Sequence, residues 1–162
     1  MIGISGLNKF FNRGKQNELH VLNNVTLDLP DKGMVAIFGR SGCGKTTLLN
    51  VIGGLDGYHS GNVHINGEKI GVNNDVVRNK YIGYIFQNYN LNKDVTCYDN
   101  IADALRLLGM KDGEEMDTRV NAALKNVGMD KFAKRLPDTL SGGQQQRIAI
   151  ARAIVKNLKQ QH

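Results

Sequence analysis

The chain has 162 residues, 41% of them hydrophobic, and a net charge of +6, enough apolar content for one ordinary core and one domain as the prior. Its Lys and Arg residues are scattered rather than striped along one face, so the charge fits a phosphate ligand or an anionic surface, and nucleic acid is not an expected partner. Two cysteines, Cys43 and Cys97, make no disulfide framework, and no apolar run approaches the ~18 residues of a membrane span, so a cytosolic protein is expected.

The first third reads as strands. Ile2, Gly3 and Ile4 lead to Phe10 and Phe11, and residues 21–29 alternate through Val25, Leu27 and Leu29 until Pro30 stops them. The apolar run 34–38 predicts a strand ending at Phe38, and residues 48–52 a helix. Between them lies GRSGCGKTT, residues 39–47. Val63 to Ile65 and Lys69 with Ile70 flank Asn66-Gly67, a dipeptide that favours a tight hairpin. The nearly continuous apolar run 81–86 predicts a strand covered on both faces.

After Gln87 the periodicity becomes helical. Ala102, Leu105 and Leu108 recur at helix spacing, as do Val120, Ala123, Leu124 and Val127 before Gly128. Residues 112–117, acidic with Gly113, read as a solvated loop between helices. Pro137 interrupts, Ser141 can cap a helix, and Ile148, Ala151 and Val155 form one face of a last helix.

The glycine-rich stretch matches G-x-x-x-x-G-K-[ST] without a gap. Gly39, Gly42 and Gly44 let successive amides converge with no Cβ in the way. Arg40, Ser41 and Cys43 fill the loop between them. The helix that follows starts with unpaired N–H groups and its positive dipole end aimed into the loop. Lys45 is placed to reach β- and γ-phosphates, the Thr46 hydroxyl to ligate Mg²⁺, and Thr47 closes the loop. A nucleoside triphosphate is the expected ligand. A guanine-reading Asn-Lys-x-Asp is approached only by Asn92-Lys93-Asp94, which lacks the spacer. The arginine-rich lid of a small-molecule kinase has only the isolated candidates Arg119 and Arg135.

A second anion site is written into Leu140, Ser141, Gly142, Gly143 and Gln144, where a serine cap and two glycines open a helix whose free amides can face a terminal phosphate. One chain does not easily fold both helix starts onto one nucleotide; two copies placed head to tail can. Together, the two motifs resemble the ATP-binding domain of the ATP-binding cassette (ABC) ATPases over about residues 2–157. The resemblance implies an α/β fold of phosphate-loop NTPase type, with an antiparallel β subdomain and a helical subdomain. It implies an ATP-binding core over 1–90, the helical subdomain over 91–137, and a signature segment with its following helix over 138–162. It implies that residues 140–144 form the family signature and contact ATP held by a partner subunit. Gln87, in YIFQNYNL, would be the glutamine that joins Thr46 on Mg²⁺. Phe11 would stack on adenine, with Phe10 the competing candidate. The implied activity is ATP hydrolysis coupled to transport, with a second ATPase subunit and a membrane permease as partners, at the inner face of the cell membrane. FQNYNL and LSGGQQQRIAIARAI look most like the exporters of lipoproteins, macrolides and antimicrobial peptides.

The pattern then breaks. The family continues into a strand ending in Asp-Glu, which serves Mg²⁺ and the attacking water, and then to a histidine. No Asp-Glu dipeptide occurs here, and His20, His59 and His64 precede the signature while His162 is terminal. The expectation is a chain that lacks the last part of the core and hydrolyses poorly. The alternatives are a non-hydrolysing ATP-binding remnant or split half, and a soluble ABC ATPase acting on nucleic acid or ribosomes.

Overall fold

The computed structural model describes residues 1–72 and 75–157 and divides into two compact units, Met1–Tyr81 and Ile82–His162. In the first unit, β1 (Ile2–Phe11) and β2 (Leu19–Leu29) pair antiparallel, and β3 (Ser60–Ile65) and β4 (Glu68–Lys69) complete a sheet in the order β2-β1-β3-β4. The Asn66-Gly67 turn joins β3 to β4 with φ of 49° and 81°, the left-handed pair that a two-residue hairpin requires. Helix α1 (Lys45–Ile52) follows the glycine-rich loop, and α2 (Asp75–Tyr81) ends the unit. Ile4, Leu7, Leu22, Val51, Val63 and Ile70 are buried between these elements.

Two expectations are corrected here. Residues 34–38 form no strand, and Met34 and Phe38 are 95% and 91% exposed. The 81–86 run is split: Tyr81 closes α2 and residues 82–86 carry no ladder. A strand is defined by the ladder it joins, and among the described residues neither run is part of one. The observed sheet is wholly antiparallel.

The second unit is helical: α3 (Cys97–Arg106), α4 (Glu114–Asn126) and α5 (Gly142–Ile154) surround a core that includes Ile101, Leu105, Met116, Val120, Leu124 and Ile148. Leu108 lies beyond the end of α3 and is 43% exposed. The acidic stretch is not a loop throughout. Glu114, Glu115 and Asp117 form the first turn of α4, where carboxylates meet the positive dipole end, and Met116 between them is fully buried. The Tyr98 hydroxyl of α3 donates to Asp117 of α4, and burial, together with that carboxylate, pushes the phenol up to about 12.

Candidate functional site

Gly44 caps α1 in the left-handed region at φ 94°, with no side chain bonded to the helix start and no acidic residue in the first turn. The first amides of α1 therefore point into the loop with no local acceptor and no competing anion. A Cβ at Gly44 would lie 2.9 Å from Val21 Cγ1 and 3.1 Å from the Val21 carbonyl oxygen. Glycine is required there twice over, for conformation and for space. Gly42 is also left-handed, at φ 80°, but faces open space.

Lys45 Nζ donates to the carbonyls of Gly39 (2.9 Å) and Arg40 (2.8 Å) and lies 3.8 Å from Cys43 Sγ. The lysine thus closes the loop on itself, with all three of its protons directed at loop acceptors and the thiol contact the longest. Beside it opens a pocket of about 410 Å³ whose phosphate-loop wall is Ser41, Gly42, Gly44, Lys45, Thr46 and Thr47. That volume is within the usual range for a small-molecule site.

The facing wall comes from the sheet: Phe11, Leu19 and Val21. Val21 is there because of a bulge. Lys9 pairs with Leu22 and Phe10 with His20, leaving Val21 as the extra residue on β2. The structure also separates the two phenylalanines. Phe10 stacks on His20 with ring centroids 3.9 Å apart and meets His59 edge-on at 5.5 Å, while Phe11 lines the pocket and is 42% exposed. Sequence reasoning missed Leu19 and Val21, because only strand register brings them to the loop.

In the second unit Gln87 is exposed in a turn closed by the Tyr89 amide donating to the Phe86 carbonyl at 3.0 Å. Tyr89 and Asn90 follow at φ 61° and 49°, two non-glycine residues in a region that costs each of them energy. Arg152 of α5 holds them there, donating to the carbonyls of Asn90 (2.7 Å) and Tyr89 (2.8 Å). Burial pushes its guanidinium below the ordinary arginine value.

Ser141 caps α5 in a capping box: its hydroxyl accepts from the Gln144 amide at 3.3 Å, and Gln144 Oε1 accepts from the Ser141 amide at 2.9 Å. The amides of Gly142 and Gly143 sit in the first turn, where the helix offers no acceptor. Leu140 is 7% exposed within the helical core; its amide donates to the Pro137 carbonyl at 3.0 Å and its carbonyl accepts from Gln145 Nε2 at 3.2 Å, so it anchors the start of α5. The structure therefore gathers Phe11, Ser41, Gly42, Gly44, Lys45, Thr46 and Thr47 around one pocket. Gln87 and residues 140–144 belong to the other unit.

Comparison with known proteins shows the family. The family model described as ABC transporter matches residues 22–160. The chain belongs to the ABC transporter family. It is 41% identical over 153 residues to the spermidine/putrescine import ATP-binding protein of Thermotoga maritima, covering 94% of this chain and 39% of that protein. It is 40% identical over 156 residues to the sulfate/thiosulfate import ATP-binding protein of Pseudomonas aeruginosa, covering 94% and 45%. With the macrolide export ATP-binding/permease protein of Mannheimia succiniciproducens it shares 40% over 159 residues, covering 96% and 24%. The chain spans less than half the length of these relatives, which are named for import as well as export. Among solved structures, a dimeric post-hydrolysis state of the ATP-binding cassette MJ0796 bound to ADP and Pi matches with a TM-score of 0.87 and 36% identity over 97% of this chain and 70% of that one. The fold is that of an ABC ATPase cassette, and the family is one of ATP-binding subunits. Among the described residues, no helix is long and apolar enough to cross a membrane.

Proposed function

We propose that the chain binds Mg-ATP as the ATP-binding subunit of an ABC transporter. The observation that carries this reading is the uncapped, acid-free start of α1 beneath the Gly42 to Gly44 loop, with Lys45 beside it and Phe11 opposite. The α1 amides and Lys45 would hold the phosphates, and Phe11, Leu19 and Val21 would take the base. The Thr46 hydroxyl at the loop is a hard oxygen ligand of the kind Mg²⁺ takes, and the Gln87 amide oxygen, on the other unit, is of the same chemical class. Bound there, Mg²⁺ would neutralise phosphate charge. The amides of Gly142 and Gly143 would serve ATP held by a second copy, in a head-to-tail dimer docked on a membrane permease at the cytoplasmic face. Functionally, residues 1–90 would be the ATP-binding core, 91–137 the helical subdomain, and 138–162 the signature and its helix.

A second reading is that these 162 residues by themselves bind ATP without turnover, since they hold no Asp-Glu dipeptide. Loss of a water-activating carboxylate typically costs several orders of magnitude in rate. Calorimetry of Mg-ATP binding, with phosphate release measured on the same samples, separates the readings. Lys45→Ala is expected to weaken ATP by about tenfold or more, since a charge-assisted contact contributes roughly 1.5–3 kcal/mol, while phosphate release by the 162-residue chain stays near background. Equal affinity in both proteins refutes the phosphate-loop assignment. Lys45-dependent turnover near ~1 s⁻¹ refutes the second reading.

A further inference from the structure

Lys9 is a charged residue that neither motif uses, yet it is 8% exposed. Its Nζ donates to Asp56 Oδ1 at 2.7 Å and to the Gly57 carbonyl at 2.6 Å. Asp56 and Gly57 lie just beyond the C-terminal end of α1, and the amides of Leu55 and Asp56 are fixed to that helix by the Asn50 carbonyl, at 2.8 and 3.2 Å. The same ammonium lies 5.4 Å from the centroid of the Phe11 ring, two residues along β1 and so on the same face of the strand. Lys9 therefore joins the strand that carries the aromatic wall to the far end of the helix whose start forms the phosphate loop.

From this geometry we propose that Lys9 is a positioning residue for the nucleobase. Held by Asp56 and Gly57, its ammonium fixes the Phe11 ring at a set span from the phosphate loop. The inference rests on the nucleotide reading above and adds to it how the base wall and the phosphate cradle keep their register. A buried charge costs desolvation, and its retention is best attested where it specifies geometry. A cation against an aromatic ring fixes the ring's placement more firmly than apolar contact alone.

The role predicts an effect on the base and not on the phosphates. Wild type, Lys9→Met and Asp56→Asn are titrated with Mg-ATP and with inorganic tripolyphosphate, which carries the phosphate chain without a base. Thermal unfolding of each protein confirms that it is folded. Both substitutions are expected to weaken ATP by about three- to tenfold, a fraction of what losing a stacked base costs, and to leave tripolyphosphate within about twofold. In a Phe11→Ala background, Lys9→Met is expected to cost ATP nothing further. Equal weakening of both ligands, no change in either, or a full additional loss in the Phe11→Ala background overturns the proposal. If Lys9→Met does not fold, Asp56→Asn alone decides, by the same ratio. A wild-type chain that binds tripolyphosphate but shows no gain for ATP overturns this inference and the placing of the base on Phe11 while leaving the phosphate-loop assignment standing; one that binds neither refutes the nucleotide reading, and this inference with it.

Discussion

Gly42 and Gly44 both sit in the left-handed region, at φ 80° and 94°, yet replacing them with alanine is predicted to have different consequences. Alanine forced into that conformation costs roughly 1–2 kcal/mol, whatever surrounds it. At Gly42 nothing lies within 4 Å of the added methyl, so the conformational cost is the whole effect. At Gly44 the methyl would sit 2.9 Å from Val21 Cγ1 and 3.1 Å from the Val21 carbonyl oxygen. A side chain can turn aside, but the carbonyl belongs to the bulged residue of β2, whose neighbours His20 and Leu22 are both paired to β1. Overpacking of this kind adds about 1–3 kcal/mol, giving about 2–5 kcal/mol for Gly44→Ala against about 1–2 for Gly42→Ala. Because Val21 is also pocket wall, the Gly44 variant should push the sheet away from the loop and weaken ATP as well. Urea denaturation followed by circular dichroism gives the stabilities, and titration with ATP gives the affinities. Equal destabilisation by the two substitutions would refute the contact between β2 and the loop.

Phe11→Ala should weaken ATP, and GTP should compete to within roughly tenfold in the wild type, because stacking is tolerant of base identity; unchanged ATP affinity in the variant would return Phe11 to a packing role. The phenol of Tyr98, at about 12 in the folded chain against about 10 in an unfolded one, stabilises the helical unit fully below about pH 10 and loses that contribution as pH rises from 10 to 12. An ultraviolet titration should find one tyrosine ionising late, and Tyr98→Phe should abolish the alkaline loss of stability attributable to this group.

What the sequence made legible was contiguous. The phosphate loop, the α1 helix, the Asn66-Gly67 hairpin and the Ser141 cap are each written within a few neighbouring residues, and each stands where local chemistry puts it. What it hid depends on partners. Val21 reaches the loop through a bulge set by the pairing of β1 with β2, and Lys9 looks like an ordinary surface charge until Asp56 arrives from beyond α1. Helix α2 escaped notice because Asp75, Val76 and Val77 are weak helix formers; it is held by an Arg78–Asp75 ion pair and by Tyr81 donating to Glu68 on β4. The apolar runs 34–38 and 81–86 misled for the same reason: alternation and hydrophobicity describe a strand's faces and say nothing of the edge it needs.

The most direct measurement is the two-dimensional ¹⁵N–¹H spectrum of the labelled chain as Mg-ATP is added. The backbone amides of Gly42, Gly44, Lys45 and Thr46 are expected to shift strongly and saturably, since amides that gain a phosphate oxygen change most, and Lys45→Ala is expected to remove the effect at the same ATP concentration. Saturable shifts that leave those four amides unmoved, or no shift at all at millimolar Mg-ATP, would contradict the claim that this loop is a nucleotide site.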